Sequence, residues 1–424
     1  MNIEIKKCAV LGAGVMGAQI AGHIANAGIP SLLFDVNNDL AKKGIEGLTK
    51  LKPAPLFSSK NTTLITPCTY DNDLEKLKDC DLIIEAVAEK IEIKHTVYKN
   101  LLPHLKENAI LASNTSGIPL ANLVEVLPDE VQSRFLISHF FNPPRYLRLL
   151  ELVKGPKTSD DVYNTVTEFG EVTLGKGVVH AKDTPGFIGN RMLFGYTAQA
   201  NMLLLEGALP HQIDQALESF GLNMGPFRMM DLVGLDLGWR ARKLSGKESP
   251  LHAKIGDELC EQNRYGQKNG AGYYNYSEGS RAPNPAPENE STYEKISSDN
   301  GFTRREISDE EIVDRCVLAL INEGADILSE GVAQRAADID VVYINGYGFP
   351  IWRGGPMHHA NAMGLDKVIE KLEKYRELTG NDVYKPSEML ITLAKNGERL
   401  GEAPKKEDRK QKLDFEMSSV ANNF

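Results

Sequence analysis

The chain has 424 residues, a length that corresponds to two to four domains of roughly 100–200 residues each. Hydrophobic residues make up 42% and charged residues 25%, which is typical of a soluble globular protein and excludes a disordered or collagen-like chain. The net charge of −10 argues against a nucleic-acid partner, because such a partner requires a basic face. No apolar run approaches the roughly 18 residues of a membrane span, so no membrane partner is predicted.

The cysteines and the chain ends bear on the cellular compartment. Five cysteines are scattered without a Cys-x-x-Cys pair, which favours buried thiols in a reducing compartment, and no metal site is predicted. A predicted strand begins near residue 6 and leaves no room for a signal peptide. The last residues, Ala-Asn-Asn-Phe, lack a Ser-Lys-Leu peroxisomal address. We therefore expect a cytoplasmic protein.

Residues 1–182 alternate short apolar runs with helical patterns, and this rhythm predicts a mostly parallel, doubly wound sheet. The predicted strands are 8–11, 31–34, 63–66, 82–87 and 110–113, and the predicted helices are 15–27, 91–105 and 120–127. Two further strands, 135–139 and 147–153, flank Asn142-Pro143-Pro144-Arg145. We predict that these two strands form a hairpin.

After Asp183-Thr184-Pro185 the pattern changes to long helices. The predicted fold class is therefore α/β, with a Rossmann-type doubly wound sheet followed by two duplicated all-α domains. The predicted boundaries are 1–182 for the nucleotide-binding domain, 183–276 and 307–400 for the helical domains, 277–306 for a linker and 401–424 for a mobile tail. Within the linker, residues 278–300 are rich in Pro, Ser, Asn and Glu and are expected to be exposed.

The duplication rests on short motifs that recur in order at offsets of 124 to 130 residues. The matches are Glu206-Gly207 with Glu330-Gly331, Ile213-Asp214 with Ile339-Asp340, Gly225-Pro226-Phe227 with Phe349-Pro350, and Gly234-Leu235-Asp236 with Gly364-Leu365-Asp366. Single dipeptide matches arise easily by chance, whereas four in register favour a duplicated domain.

A Gly-x-Gly-x-x-Gly motif lies directly after the first predicted strand and opens the first helix. Its glycines permit a tight turn and the close approach of a pyrophosphate, and the helix N-terminus offers amides to the phosphates. Asp35 ends the second strand, where its carboxylate accepts hydrogen bonds from the adenosine ribose and repels a 2′-phosphate. Because Val36 and Asn37 follow, with no arginine, NAD is favoured over NADP. The predicted cofactor residues here are Gly12, Gly14, Val15, Met16, Gly17 and Asp35.

Oxidation of an alcohol by NAD leaves the hydroxyl proton to be removed, and a histidine is the usual base for this step. The chain has nine histidines. His139 ends an apolar strand, and Glu151 lies 12 residues later in the next apolar strand. A carboxylate in so apolar a run is costly unless it is paired. A hairpin would bring the two together, with Glu151 orienting the imidazole as a triad carboxylate does. The alternative is a structural histidine and a carboxylate at a strand edge.

Four motifs resemble the signatures of L-3-hydroxyacyl-CoA dehydrogenases, and the resemblance runs from about residue 6 to about residue 400. These motifs are Ser113-Asn114-Thr115-Ser116, Ser138-His139-Phe140-Phe141-Asn142-Pro143, Leu150-Glu151-Leu152-Val153 and Asp183-Thr184-Pro185-Gly186-Phe187-Ile188-Gly189-Asn190-Arg191. The second half, with Phe349-Pro350-Ile351-Trp352-Arg353-Gly354-Gly355-Pro356, is similar to the dehydrogenase half of multifunctional fatty-acid β-oxidation enzymes.

The resemblance implies NAD-dependent oxidation of an L-3-hydroxyacyl-CoA to the 3-ketoacyl-CoA. It implies that His139 is the base and Glu151 its partner, and that Ser116 and Asn190 hydrogen-bond the reacting oxygens. Glu89, Lys94, Ser116 and Asn142 match positions near the nicotinamide half of NAD. Single-copy members of the family form homodimers through their helical domains. Since a second copy would occupy the partner's place here, we expect a monomer, with a hydratase or thiolase as a candidate partner.

The sequence departs from the family in three respects. It has no enoyl-CoA hydratase domain, and its second helical copy lacks the Asp-Thr-Pro-Gly-Phe-Ile signature. The segment from Val36 to about Thr62 is also too short for the family's helical hairpin, so only one helix, about 39–51, is expected there. Two alternatives stay open: a dehydrogenase of a non-CoA hydroxy acid, and a catalytically silent NAD-binding subunit of a β-oxidation assembly.

Overall fold

A computed structural model describes residues 4–246 and 248–401. The chain divides into two compact units, and the first comprises residues up to Asn190 together with Glu330–Gly346. The second unit comprises Arg191–Ser329 and, among the described residues, 347–401. The tail predicted for 401–424 lies outside the described residues except for Gly401.

The first unit is built on one eight-stranded sheet with the order β3-β2-β1-β4-β5-β6-β7-β8. All neighbouring strands are parallel except β6 and β7, which are antiparallel. The strands are β1 Cys8–Leu11, β2 Ser31–Asp35, β3 Ile65–Thr69, β4 Leu82–Glu85, β5 Ile110–Ser113, β6 Phe135–Phe140, β7 Leu149–Lys154 and β8 Gly177–Ala181. The helices in the same stretch are α1 Val15–Asn26, α2 Asn38–Leu48, α3 Ile91–Leu101, α4 Leu120–Val124, α5 Asp129–Gln132 and α6 Asp160–Glu168.

The strands are continuous apolar runs because helices cover both faces of a parallel sheet. β1 and β5 are buried along their whole length, and α1 adds a buried stripe to the same core. The doubly wound prediction is confirmed, and so is the hairpin of β6 and β7. β8 was not predicted from the sequence, although its Gly-Val-Val-His-Ala pattern is compatible with a short strand.

The connection between β2 and β3 holds a single α-helix, as expected from its length. This helix, α2, begins after the Asn37 side chain, which accepts a hydrogen bond from the Leu40 amide as an N-cap. A short 3-10 helix, Ser59–Leu64, leads into β3. The helical hairpin of the family is therefore absent from this stretch of the structure.

The remaining helices lie between Gly189 and Asn396. They are α7 Gly189–Glu206, α8 Pro210–Phe220, α9 Pro226–Val233, α10 Asp236–Ser245, α11 Lys254–Glu261, α12 Glu290–Asp299, α13 Asp309–Ser329, α14 Ala336–Gly346, α15 Pro356–Met363, α16 Leu365–Thr379 and α17 Glu388–Asn396. One motif match needs a correction. α9 and α15 both begin at a Gly-Pro pair, so Gly225-Pro226 corresponds to Gly355-Pro356 rather than to Phe349-Pro350.

Two further expectations differ from the structure. The segment 278–300 is not exposed throughout, because it contains α12, whose Tyr293 and Ile296 are buried. The composition of this segment did not indicate α12, because its apolar residues are few and are separated by polar ones. The segment Glu330–Gly346, which falls within the predicted second helical domain, groups with the nucleotide-binding unit. All five cysteines are buried and unpaired, as predicted.

Candidate active site

The turn after β1 requires glycine at two positions. Gly12 has φ +102°, and a Cβ added there would lie 2.7 Å from the Ala86 carbonyl oxygen. A Cβ at Gly17 would lie 1.8 Å from the Gly12 carbonyl oxygen. A Cβ at Gly14, by contrast, would meet no heavy atom within 4 Å. The turn is thus closed toward the protein and open above Gly14, where a ligand can approach the backbone.

Asp35 is tied to this turn by its carboxylate. One oxygen accepts a hydrogen bond from the Ala13 amide at 2.8 Å, and the other accepts from the Val36 amide at 2.7 Å. Val15 and Met16 lie in the first turn of α1, where backbone amides have no partner within the helix. A helix N-terminus of this kind suits a pyrophosphate, and the strand order places it at the switch point between β1 and β4. The residues present therefore fit a dinucleotide such as NAD.

A buried polar network lies at the carboxyl end of β4. Glu85 is fully buried and accepts hydrogen bonds from Lys94 Nζ at 2.8 and 3.0 Å, from Tyr98 at 2.8 Å and from Ser113 at 2.7 Å. Lys94 is only 1% exposed, so it is a buried partner of Glu85 and not a solvated lysine. Sequence reasoning missed Glu85, although a carboxylate that ends the apolar strand Leu-Ile-Ile-Glu is a signal that could have revealed it.

Glu89 lies at the edge of the same network. Its carboxylate is 3.0 Å from Lys94 Nζ and accepts hydrogen bonds from the Thr115 hydroxyl and, at 3.0 Å, from the Ser116 amide. Burial acts to raise the pKa of Glu89, but the charge of Lys94 and these hydrogen bonds outweigh it and leave the pKa below its ordinary value. Glu89 is thus held as an anion against the loop that carries Ser116.

His139 and Glu151 are brought together by the register of β6 and β7, in which they lie directly opposite each other. His139 Nδ1 is 2.8 Å from Glu151 Oε2. Glu151 is fully buried, and its other oxygen accepts hydrogen bonds from the amides of Ile188 at 3.3 Å and Gly189 at 3.0 Å. This carboxylate is therefore paired on both sides, which offsets the cost of its burial.

The amides that reach Glu151 are aimed by an unusual backbone conformation. Phe187 has φ +50°, a left-handed value that few bulky residues adopt. The turn at this residue directs the two following amides toward the carboxylate. The Phe187 ring also packs near His139, with ring centroids 5.8 Å apart, and Phe141 packs at 4.4 Å. The imidazole is thereby confined by two aromatic rings.

The hydrogen bond to Glu151 determines which nitrogen of His139 carries the proton in the neutral ring. An ionised carboxylate only accepts, so Nδ1 must donate and Nε2 keeps a lone pair. His139 is 6% exposed. The arrangement therefore provides a proton acceptor whose tautomer is set by a buried carboxylate.

Ser116, Asn190 and Asn142 lie on segments tied to this pair. Asn190 directly follows Gly189, whose amide contacts Glu151. Ser116 is exposed and lies two residues after Asn114, whose side chain accepts a hydrogen bond from the Phe140 amide at 2.8 Å. Asn142 accepts a hydrogen bond from Gln19 of α1 at 3.0 Å. The roles of these residues toward ligands stay predictions.

The loop between β6 and β7 is fastened by residues that sequence reasoning did not single out. Arg145 donates to the carbonyl oxygens of Ala54 at 2.6 Å and Leu56 at 2.7 Å, and its guanidinium lies 4.5 Å from the Phe57 ring. Buried Lys176 donates to the carbonyl oxygens of Pro144 and, at 2.9 Å, Leu147. Burial, with a contribution from Arg148, lowers the pKa of Lys176 to about 7.

A doubly wound sheet with a glycine turn at its switch point defines a dinucleotide-binding protein. Residues 7–184 match the family model of the 3-hydroxyacyl-CoA dehydrogenase NAD-binding domain. Residues 186–276 and 312–407 match the model of the 3-hydroxyacyl-CoA dehydrogenase C-terminal domain. The chain therefore belongs to the 3-hydroxyacyl-CoA dehydrogenase family, and its nucleotide cofactor is NAD, as predicted.

Known relatives agree with this assignment. The chain is 38% identical over 412 residues to the peroxisomal bifunctional enzyme of Danio rerio, covering 93% of this chain and 57% of that protein. It is 33% identical to the fatty acid oxidation complex subunit alpha of Psychrobacter sp. (strain PRwf-1), covering 93% and 56%. The chain thus spans somewhat more than half the length of these curated relatives.

Solved structures share the fold. The dehydrogenase part of multifunctional enzyme 1 from C. elegans is 30% identical with a TM-score of 0.71, covering 92% of this chain and 89% of that one. The 3-hydroxybutyryl-CoA dehydrogenase of Escherichia coli K12 has a TM-score of 0.75 at 24% identity, covering 93% and 99%, and this likeness concerns the fold. Among the helices of the described residues, none combines the length and the apolar character needed to cross a bilayer.

Proposed function

We propose that this protein is an NAD-dependent L-3-hydroxyacyl-CoA dehydrogenase that converts the 3-hydroxyl of an acyl-CoA to a ketone, or catalyses the reverse. The observation that carries the proposal is the buried His139–Glu151 pair, with its 2.8 Å hydrogen bond. His139 lies on β6, and the strands β1, β4, β5 and β6 are neighbours that all run parallel. The imidazole thus lies toward the same carboxyl edge of the sheet as the glycine turn, where α/β sheets bind their ligands.

In the forward direction His139 Nε2 takes the proton of the substrate hydroxyl as the carbon–oxygen double bond forms. NAD, when bound at the glycine turn, would supply the acceptor for the hydride of the same carbon. The imidazolium that results is stabilised by the Glu151 carboxylate at Nδ1. Since Glu151 is excluded from water, its charge acts on the imidazolium with little screening.

We assign supporting roles to the residues around this pair. Ser116 and Asn190 hydrogen-bond the reacting oxygen and stabilise the charge that develops on it. Glu89 and Asn142 contact the nicotinamide half of NAD. The Lys94 amine is engaged by Glu85 and Glu89, and this supports a role in which Lys94 acts on the cofactor by orienting Glu89.

We further propose the duplicated organisation predicted from the sequence, with helical domains at 183–276 and 307–400 joined through 277–306. The two separate matches to one C-terminal-domain model support it. A monomer stays the expected state. A hydratase or thiolase stays a candidate partner, and support for a partner comes from relatives whose names describe a bifunctional enzyme and a complex subunit. The cytoplasm stays the predicted compartment, although the named relatives include peroxisomal enzymes.

The decisive assay is oxidation of NADH with acetoacetyl-CoA, longer 3-ketoacyl-CoAs and free 3-keto acids as substrates. Turnover of the CoA esters, but not of the free acids, is expected. Turnover of free acids alone would favour the related hydroxy-acid dehydrogenase. If NADH binds and no substrate is reduced, the protein is the silent subunit and the proposal fails.

A further inference from the structure

One segment of the second match to the C-terminal-domain model attaches to the chain at the β8 edge of the eight-stranded sheet. The match spans 312–407, and its residues Glu330–Gly346 belong to the nucleotide-binding unit. Ala333 forms an antiparallel bridge with Ala181 at the end of β8. The Lys182 amide donates to the Val332 carbonyl oxygen, and Lys182 Nζ donates to the Glu330 carbonyl oxygen, each at 3.0 Å. The segment is therefore fastened to the chain just beyond β8.

α14, the helix within this segment, then packs closely on β7 and β8. A Cβ added at Gly346 would lie 2.6 Å from Leu149 Cδ2, so the end of α14 touches the start of β7. A Cβ added at Gly177 would lie 2.7 Å from Asn345 Nδ2, so the same end of α14 also touches the start of β8. With attachments at both ends, α14 has a defined position beside the strand that carries Glu151.

Tyr343 projects from α14 to the residue that holds Glu151. Its side chain is buried, with 2% exposed, and its hydroxyl donates to the Gly189 carbonyl oxygen at 3.3 Å. The Gly189 amide donates in turn to Glu151 Oε1 at 3.0 Å. Gly189 is thus held by Tyr343 at its carbonyl and by Glu151 at its amide, and Asn190 follows it directly.

The corresponding position in the first helical copy shows that packing alone does not require the Tyr343 hydroxyl. In the register that pairs Ile213 with Ile339, Tyr343 corresponds to Leu217 of α8. Leu217 is fully buried and apolar. The same helix position is therefore filled by a hydrocarbon in one copy, and the hydroxyl belongs to the copy that borders the catalytic carboxylate.

We propose that Tyr343 is a positioning residue for the dehydrogenase reaction, acting through Gly189 on Glu151 and hence on His139. The second helical copy, which lacks the family's catalytic signature, thereby contributes to the active site. This inference rests on the proposed function of His139 and Glu151. Tyr343 does not touch the substrate in this scheme; it keeps the Gly189 amide aimed at the carboxylate.

The hydrogen bonds that Glu151 accepts also set how strongly its charge acts on His139. Amides that donate to a carboxylate share its negative charge and so reduce its pull on a neighbouring imidazolium. If Gly189 is loosened, Glu151 keeps more of that charge for His139. The imidazolium is then more stable, and the pH profile of kcat moves upward. A purely structural tyrosine would change the melting temperature without moving this profile.

The test is Tyr343→Phe, which removes the hydroxyl and keeps the ring, compared with Tyr375→Phe as a matched control. Tyr375 is also a buried tyrosine of the second copy, and its hydroxyl donates to Asp314 at 3.1 Å rather than to Gly189. For Y343F we expect kcat to fall about three- to tenfold, corresponding to one hydrogen bond, because Glu151 and His139 are then held less firmly in position and this outweighs the stronger pull of Glu151. The pH profile of kcat should move upward by a few tenths of a unit, and KM for NADH should be unchanged. Y375F should match the wild type in all three.

Equal pH profiles for Y343F and the wild type, or equal shifts in Y343F and Y375F, would overturn the inference. If Y343F melts below the assay temperature, the pH profiles of Y343F and the wild type are compared below that melting temperature, and an unmoved profile has the same meaning. Full activity of a His139→Gln variant would instead refute the proposed function. The two failures are therefore distinguishable.

Discussion

Replacement of Glu151 by glutamine tests whether the buried carboxylate sets the tautomer of His139. Glu151 Oε1 already accepts two backbone amides, from Ile188 and Gly189. The NH₂ group of a glutamine cannot face those donors, so its carbonyl oxygen must take that side. The NH₂ group then points at His139 Nδ1 and donates to it. Nδ1 becomes an acceptor, the ring proton moves to Nε2, and the lone pair needed for the substrate proton is lost.

The loss of kcat expected for E151Q corresponds to the loss of the general base. General-base catalysis contributes about 10²–10⁴-fold, which is about 2.7–5.4 kcal/mol of transition-state stabilisation at 1.36 kcal/mol per tenfold change in rate. The wrong tautomer costs about 10⁴-fold in the Ser-His-Asp triads of hydrolases. Glu151 is fully buried, so no water can substitute for its carboxylate. We therefore expect E151Q to lose about 10³–10⁴-fold in kcat.

The assay follows NADH absorbance with acetoacetyl-CoA at saturating cofactor. Asp231→Asn is the matched control, because Asp231 is likewise buried and accepts amides from Tyr273 at 2.9 Å and Tyr274 at 3.0 Å, but belongs to the helical unit. D231N should lose stability while kcat of the folded protein stays within about threefold of the wild type. A folded E151Q protein with kcat within threefold of the wild type would refute the tautomer argument.

Four other expectations concern single features of the molecule. His139→Gln should lower kcat about 10²–10⁴-fold while the dissociation constant of NADH stays unchanged; near-normal turnover would contradict the role of His139 as base. The double variant Asp35→Asn/Val36→Arg, in which Val36 is an exposed position, should raise kcat/KM for NADPH relative to NADH by about tenfold or more, because a like-charge contact with the 2′-phosphate is replaced by an attractive one. Equal use of both cofactors by the wild type would show that Asp35 does not discriminate between them. Burial, followed by the charge of Lys176, lowers the pKa of His23 from 6.5 to about 4, so the unfolded chain takes up the proton first and stability is lost as the pH falls from 6.5 to 4. Urea unfolding should therefore show that the wild type loses about 3 kcal/mol more free energy of unfolding over this pH range than His23→Gln does. Parallel pH dependences of the two proteins would contradict this. Sedimentation should give a single species near 46.8 kDa, and a tight dimer built on the first helical copy would contradict the expected monomer.

The nucleotide-binding half of the fold was predictable because its signals are local. A strand followed by Gly-x-Gly-x-x-Gly and a helix specifies a turn through backbone sterics alone, and Gly12 and Gly17 occupy positions that leave no room for a Cβ. The hairpin of β6 and β7 was predictable from two apolar runs separated by a proline-rich turn. β8 escaped prediction because its pairing with β7 is what defines it as a strand, and α12 escaped because its few apolar residues are separated by polar ones.

The candidate site also has one part that was predictable from local sequence and another that was not. The sequence by itself determined which chemistry the chain carries: a dinucleotide turn with its acidic partner, and a histidine and a carboxylate on adjacent apolar strands. Only the tertiary structure decided that His139 and Glu151 share a register position, since a slip of one residue would have turned one of them to the opposite face of the sheet. It also decided that Glu85 holds Lys94, and that Tyr343, 154 residues away in the chain, reaches Gly189. Contacts of this kind are set by packing between elements far apart in the chain, and no local spacing encodes them.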